Sequence, residues 1–164
     1  MLKLTDILRA SHVSRWNIVN VSRHQSVAEH SFNVCMIARR LCKELDVEDT
    51  NIIKAALEHD LDEVIFGDIP TPAKDKLAAS GIDINAIVGN KMRDLTPLDE
   101  TILKVADLLD AVLFLSDHAI GTHAAAVLDE VKERLRRHII DASIDTSMAN
   151  VMWGFVSQVL AEEL

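Results

Sequence analysis

An all-α fold is predicted by three observations. The chain has no tyrosine, and its β-branched residues nowhere alternate with polar ones over a long run, so strand signals are nearly absent. Apolar residues recur at helical spacing through most of its length. Helix starts carry recognisable capping residues. The expectation is one compact helical domain over residues 1–164, built from about seven to nine helices.

The elements follow in order. A short helix is expected near Leu4–Ala10. Ser26-Val27-Ala28-Glu29 reads as a capping box opening a helix to about Leu45, with Phe32, Cys35, Met36, Ala38 and Leu41 as its apolar positions. Asp49 or Thr50 caps the next helix, which carries Ile53, Ala56, Leu57 and Asp60. Gly67-Asp68-Ile69-Pro70-Thr71-Pro72 is a loop stiffened by two prolines. Short helices follow near Ala73–Ala79 and Ile84–Met92. Thr96-Pro97 places proline at a first helical position, and Asp99-Glu100 put acid in the first turn of a helix reaching about His118. Gly121-Thr122 interrupts before a helix over roughly His123–Ile140. Asp145 or Thr146 caps a last helix, about Ser147–Ala161, on which Trp153 and Phe155 read as core residues.

Composition narrows the function classes. A net charge of −9 argues against nucleic-acid binding through a basic face. Met1-Leu2-Lys3-Leu4-Thr5-Asp6 carries charge too early for a signal peptide, and no apolar run approaches the ~18 residues of a membrane span. Cys35 and Cys42 lie on one expected helix, roughly 10 Å apart along its axis, too far for a disulfide. Both read as buried thiols of a cytoplasmic protein.

The chemistry centres on His59-Asp60 at the end of an apolar helix, with His30 upstream and Asp107 downstream on other helices. Two imidazoles and two carboxylates form a mixed ligand set suited to a divalent ion such as Zn, Co, Mn or Mg. Four protein ligands leave positions for water and substrate if the ion is five- or six-coordinate. Glu63 stands one turn beyond His59, and Asp62 points elsewhere. Asp110, one turn after Asp107, reads equally as a support for the ligands or a ligand to a second metal, and as an ordinary helix acid.

Arg15-Trp16, Ser26-Val27-Ala28-Glu29-His30-Ser31, His59-Asp60-Leu61-Asp62-Glu63-Val64, Gly67 to Lys74 and Lys104-Val105-Ala106-Asp107, in this order and spacing, resemble the HD-domain phosphohydrolases. The nearest branch is the deoxynucleotide 5′-nucleotidases. Small phage members that hydrolyse dATP to deoxyadenosine and triphosphate look similar in Trp16, Ile18 and Pro72 as well. The resemblance implies that His30, His59, Asp60 and Asp107 bind a divalent metal, with Asp60 and Glu63 catalytic. It implies that Glu63 moves protons for the attacking water or the leaving oxygen. By the same resemblance Asp68 reads the sugar, while Trp16, Ile18 and Pro72 border the base. Arg15, Lys74 and Lys104 are candidate phosphate contacts, because an acidic protein needs a local cationic cluster for a polyanion.

The expected activity is metal-dependent hydrolysis of dATP, with a 5′-monophosphatase as the alternative. A non-catalytic nucleotide-binding module is a distant one. A phosphodiesterase typically needs more metal ligands than this sequence places. The expected partner is a small deoxynucleotide, with no nucleic acid and no membrane. Homo-oligomers are expected, dimers or hexamers built from dimers, from the family resemblance and from apolar stripes on the last two helices (Val127, Val131, Leu135, Ile139, Val151, Val156, Leu160).

Overall fold

A computed structural model describes residues 2–82 and 95–162; the helix expected near Ile84–Met92 lies outside the described residues. All described regular elements are helical. They are α1 (Leu4–Ile7), which continues as a 3-10 turn over Leu8–His12, α2 (Val27–Leu45), α3 (Thr50–Glu58), α4 (Glu63–Phe66), α5 (Thr71–Ala79), α6 (Pro97–His118), α7 (Gly121–Asp141) and α8 (Thr146–Glu162).

Helix α6 forms the centre. Ile102, Val105, Ala106, Leu109, Val112 and Leu115 are fully buried, and Leu103, Leu108, Ala111 and Phe114 nearly so, so the helix is apolar on most sides and packs against α2, α3 and α7. Its start is strongly specified: Thr96 accepts from the Asp99 N–H, Asp99 accepts from the Thr96 N–H, and Pro97 fills the first turn. Replacing Leu109 by alanine removes a side chain that is 0 % exposed. The expected cost is about 2–5 kcal/mol, read as a melting temperature lower by on the order of 10 °C.

Helix α2 lies across α6 and also meets α3 and α8. Its buried stripe is Val27, His30, Ser31, Val34, Ala38, Leu41 and Cys42. This corrects the sequence reading, because Phe32 and Met36 face out, 61% and 47% exposed. Apolar character alone does not choose between two possible stripes on one helix, and His30 and Ser31 belong to the buried one. The expected capping box is half made: Ser26 accepts from the Glu29 N–H, but the Glu29 carboxylate is held by Arg23 at 2.8 and 3.0 Å. Asp49 makes no side-chain cap for α3, and Thr50 donates to Glu48 instead. Cys35 and Cys42 are free thiols, and burial pushes Cys42 up to about 11.

The break between α6 and α7 falls at Ala119–Ile120, and Gly121 opens the next helix rather than interrupting it. Gly121 takes a left-handed φ of 84° there. The segment joining α1 to α2 reaches this corner. The Ile120 N–H donates to Asn20, and Ser22 donates to the carbonyl of His118. Of the apolar stripes of α7 and α8, Val131, Leu135, Ile139 and Val156 are buried in the core, Val127 and Leu160 are half-buried, and Val151 is exposed. Trp153, expected in the core, is 45% exposed.

Candidate metal centre and cleft

Three elements bring the ligand set together. His30 is fully buried on α2, one turn in from the Ser26 cap. His59 and Asp60 follow the last turn of α3, where the helix stops and the chain turns into α4. Asp107 comes from the middle of α6. One ligand atom each from His30, His59 and Asp60 falls within 4.8 Å of the others. Asp107 joins through His30, its Oδ1 standing 3.3 Å from His30 Nε2, while its Oδ2 takes the Lys104 ammonium at 2.6 Å.

The hydrogen bonds assign a donor role to Nδ1 of both histidines. His59 Nδ1–H donates to the Ala56 carbonyl at 2.8 Å, and His30 Nδ1–H donates to Asp110 at 2.6 Å. With both Nδ1 atoms committed as donors, the two Nε2 atoms face each other 3.2 Å apart, and in the neutral form of both rings each Nε2 carries a free lone pair. Two facing lone pairs repel unless a positive charge lies between them. Two nitrogens each ~2.0–2.1 Å from one zinc at a tetrahedral angle would stand roughly 3.3–3.4 Å apart. Asp60 Oδ2 lies 3.5 Å from His30 Nε2 and 3.4 Å from His59 Nε2, spacings of the same kind. The donor set therefore fits one divalent cation.

Electrostatics point the same way. Burial opposes ionisation of Asp60, but the neighbouring His59, His30 and Arg15 outweigh it and lower its pKa. Burial also opposes charge on Asp107, yet the His30 hydrogen bond and Lys104 hold it well below the usual carboxylate range. His30 is raised despite burial, because Asp107 and Asp110 both favour a positive ring. The Asp60, Asp107 and Asp110 carboxylates therefore favour positive charge beside His30.

Beside it opens a cavity of about 530 Å³ lined by His59, Asp60, Asp62, Glu63, Gly67 and Lys74 among others. Glu63 begins α4 rather than continuing α3, and still faces this space. Its Oε1 accepts from Lys74 at 3.0 Å; its Oε2 is buried without a partner. Burial raises the Glu63 carboxyl to about 7, with Asp60 adding to the rise and Lys74 opposing it. Asp62 also lines the cavity and is raised by burial, so it does not point elsewhere as its place in the sequence suggested.

The other expected site residues divide. Asp68 accepts from the Trp16 backbone N–H at 3.2 Å, joining two segments far apart in sequence. Trp16 adopts a left-handed φ of 66°, and its ring stacks parallel to Phe114 with centroids 6.0 Å apart. Arg15 lies 5.5 Å over the Trp16 ring and 3.8 Å from Asp110. Ile18 is 57% exposed, and Pro72 is exposed in the first turn of α5, with no contact to Trp16 among the described interactions. Lys74 and Lys104 approach the centre as partners of Glu63 and Asp107.

Two residues escaped the sequence reading, Gln25 and Asn33, which meet at the Asp110 carboxylate. A lone glutamine before a helix cap carries no pattern, and only its burial reveals it.

The chain is similar to known proteins over most of its length. Residues 4–80 match the model of the 5′-deoxynucleotidase YfbR-like family. A dATP triphosphohydrolase of Salmonella phage PMBT28 is 36% identical across 96% of this chain and 89% of its own. A 5′-deoxynucleotidase of Shewanella oneidensis is 31% identical across 74% of this chain and 64% of its own. The solved structure of the cyanophage S-2L HD phosphohydrolase DatZ, bound to dA and one catalytic Zn2+ ion, superimposes with a TM-score of 0.83, 27% identity and coverage of 99% of this chain and 98% of that one.

Proposed function

We propose, for a chain that belongs to the HD phosphohydrolase family of the phage dATP triphosphohydrolases and YfbR-like 5′-deoxynucleotidases, that it hydrolyses dATP to deoxyadenosine and triphosphate. The observation that carries the metal-dependent part is the pair of imidazole Nε2 atoms 3.2 Å apart, with Asp60 Oδ2 at 3.5 and 3.4 Å from them. Similarity to the phage enzymes over nearly the whole chain supports the substrate.

His30, His59, Asp60 and Asp107 would hold the cation. When bound, it would polarise a phosphoryl oxygen and lower the pKa of water so that a hydroxide nucleophile forms near neutral pH. Zinc is the first candidate, since the cyanophage structure holds it, with Co, Mn and Mg to be compared. The protein's own groups do the rest. Glu63 exchanges a proton with a reacting oxygen at Oε2, the atom left without a partner. Lys74 and Lys104 turn from their carboxylates toward phosphate oxygens, and Arg15 adds a planar donor fork. Trp16 walls the base, Ile18 and Pro72 edge it, and Asp68, fixed by the Trp16 backbone, faces the sugar.

Product analysis tests this. dATP, dGTP, dAMP and ATP are incubated with Zn, Co, Mn or Mg, and products are separated. Triphosphate and deoxyadenosine from dATP are expected. Orthophosphate released only from monophosphates would replace the reading by the 5′-nucleotidase one, which the family match over residues 4–80 favours.

No described helix is long and apolar enough to cross a membrane. A deoxynucleotide substrate supports a cytoplasmic setting. Assembly into dimers or hexamers would cover Phe32 and Met36 on α2, and light scattering measures it.

A further inference from the structure

We propose that Gln25 is a positioning residue, one buried amide that orients both the His30 side of the metal centre and the Arg15–Trp16 wall. The inference rests on the metal-dependent reading above. Gln25 is 0 % exposed in the loop before α2. Its Nε2 donates to Asp110 Oδ2 at 2.9 Å. Its Oε1 accepts from the Trp16 indole N–H at 3.3 Å and from an Arg15 N–H at 3.5 Å.

The chemistry of the neighbours permits one orientation of the amide. Indole and guanidinium groups have donors and no acceptor, and an ionised carboxylate has acceptors and no donor. The carbonyl must face Trp16 and Arg15, and the NH2 must face Asp110. A flip would break every one of these bonds.

Asp110 is 3% exposed and uses both oxygens, accepting from Gln25 and His30 on Oδ2 and from Asn33 on Oδ1 at 2.8 Å. That arrangement fixes the His30 ring with Nδ1 protonated, so that Nε2 remains free for a cation. Gln25 therefore holds the carboxylate that holds the histidine. With its other end it holds the indole. Loss of the amide leaves the half-buried Trp16 indole N–H without this acceptor and releases one of three bonds on Asp110.

The test compares the unsubstituted protein with Gln25→Met, which keeps the length and removes donor and acceptor. After chelator treatment, Co2+ is titrated by its visible absorption without nucleotide, and KM and kcat for dATP are measured separately. Thermal melts verify folding. The Co2+ dissociation constant is expected to rise about tenfold or more, with an altered absorption band, and KM to rise about three- to tenfold. Gln25→Glu keeps the acceptor and loses the donor. Its KM should return toward the unsubstituted value while Co2+ affinity stays weak, and it serves as the test if the methionine variant does not fold. Co2+ affinity and KM both within twofold of the parent, or a change in one without the other in Gln25→Met, overturns the proposal. A parent protein that binds no Co2+ instead removes the metal-dependent reading, and the proposal with it.

Discussion

Glu63→Gln is expected to lower kcat for the deoxynucleotide by roughly 10²–10⁴-fold while making the metal-free protein more stable above pH 7. Both effects come from one atom environment. The carboxyl is 4% exposed, its Oε2 has no partner, and burial with Asp60 raises it from 4.5 to about 7. The folded state therefore binds this proton more tightly than the unfolded chain does. Stability associated with the group is fully present below pH 4.5, and it is lost as pH rises through about 7. Glutamine cannot ionise, so it escapes that loss. At pH 8 the chelator-treated variant should exceed the parent by roughly 1–3 kcal/mol, and at pH 4 the difference should vanish. Denaturant titrations at the two pH values read it directly. A variant that is less stable at both would mean that the Lys74 pair, not burial, dominates this position.

His59→Ala is expected to abolish stoichiometric binding of Co2+ or Zn2+ and, with it, hydrolysis. His59 is half-buried at a turn, and its Nδ1 bond to Ala56 is local, so the helical core should survive the change. Its Nε2 stands closest to His30, and removing it leaves His30 and the carboxylates without the nitrogen that completes the cluster. Chelator treatment of the unsubstituted protein should reproduce the loss, and returning the ion should reverse it there but not in the variant. Because the imidazoles bind metal only when neutral, apparent affinity should weaken as pH falls. Retained metal binding at parental affinity by His59→Ala would count against the site.

The parts of this structure legible in the sequence are those written in short-range patterns. The Thr96-Pro97 start, the Ser26 cap and the all-helical class came from local rules, and the structure has each. His30, His59 and Asp60 were legible because the His-Asp pair brought a family spacing with it. Three things were not legible. The choice of buried stripe on α2 depends on which helices pack there, so Phe32 and Met36 were misplaced. The direction of Asp62 depends on the chain stopping α3 at Glu58 and restarting at Glu63. The Gln25–Asp110 contact joins residues 85 apart, and no periodicity reports a bond of that range.

The left-handed backbone at Trp16 has a consequence for how a ligand would be received. A non-glycine residue in that conformation costs roughly 1–2 kcal/mol, and here Asp68, Gln25 and Phe114 together retain it. The strain is settled when the polypeptide folds, before any nucleotide arrives. If Trp16 walls the base as proposed, a purine would meet an aromatic plane already in place, and would be accepted or refused by its outline rather than moulding the loop around itself.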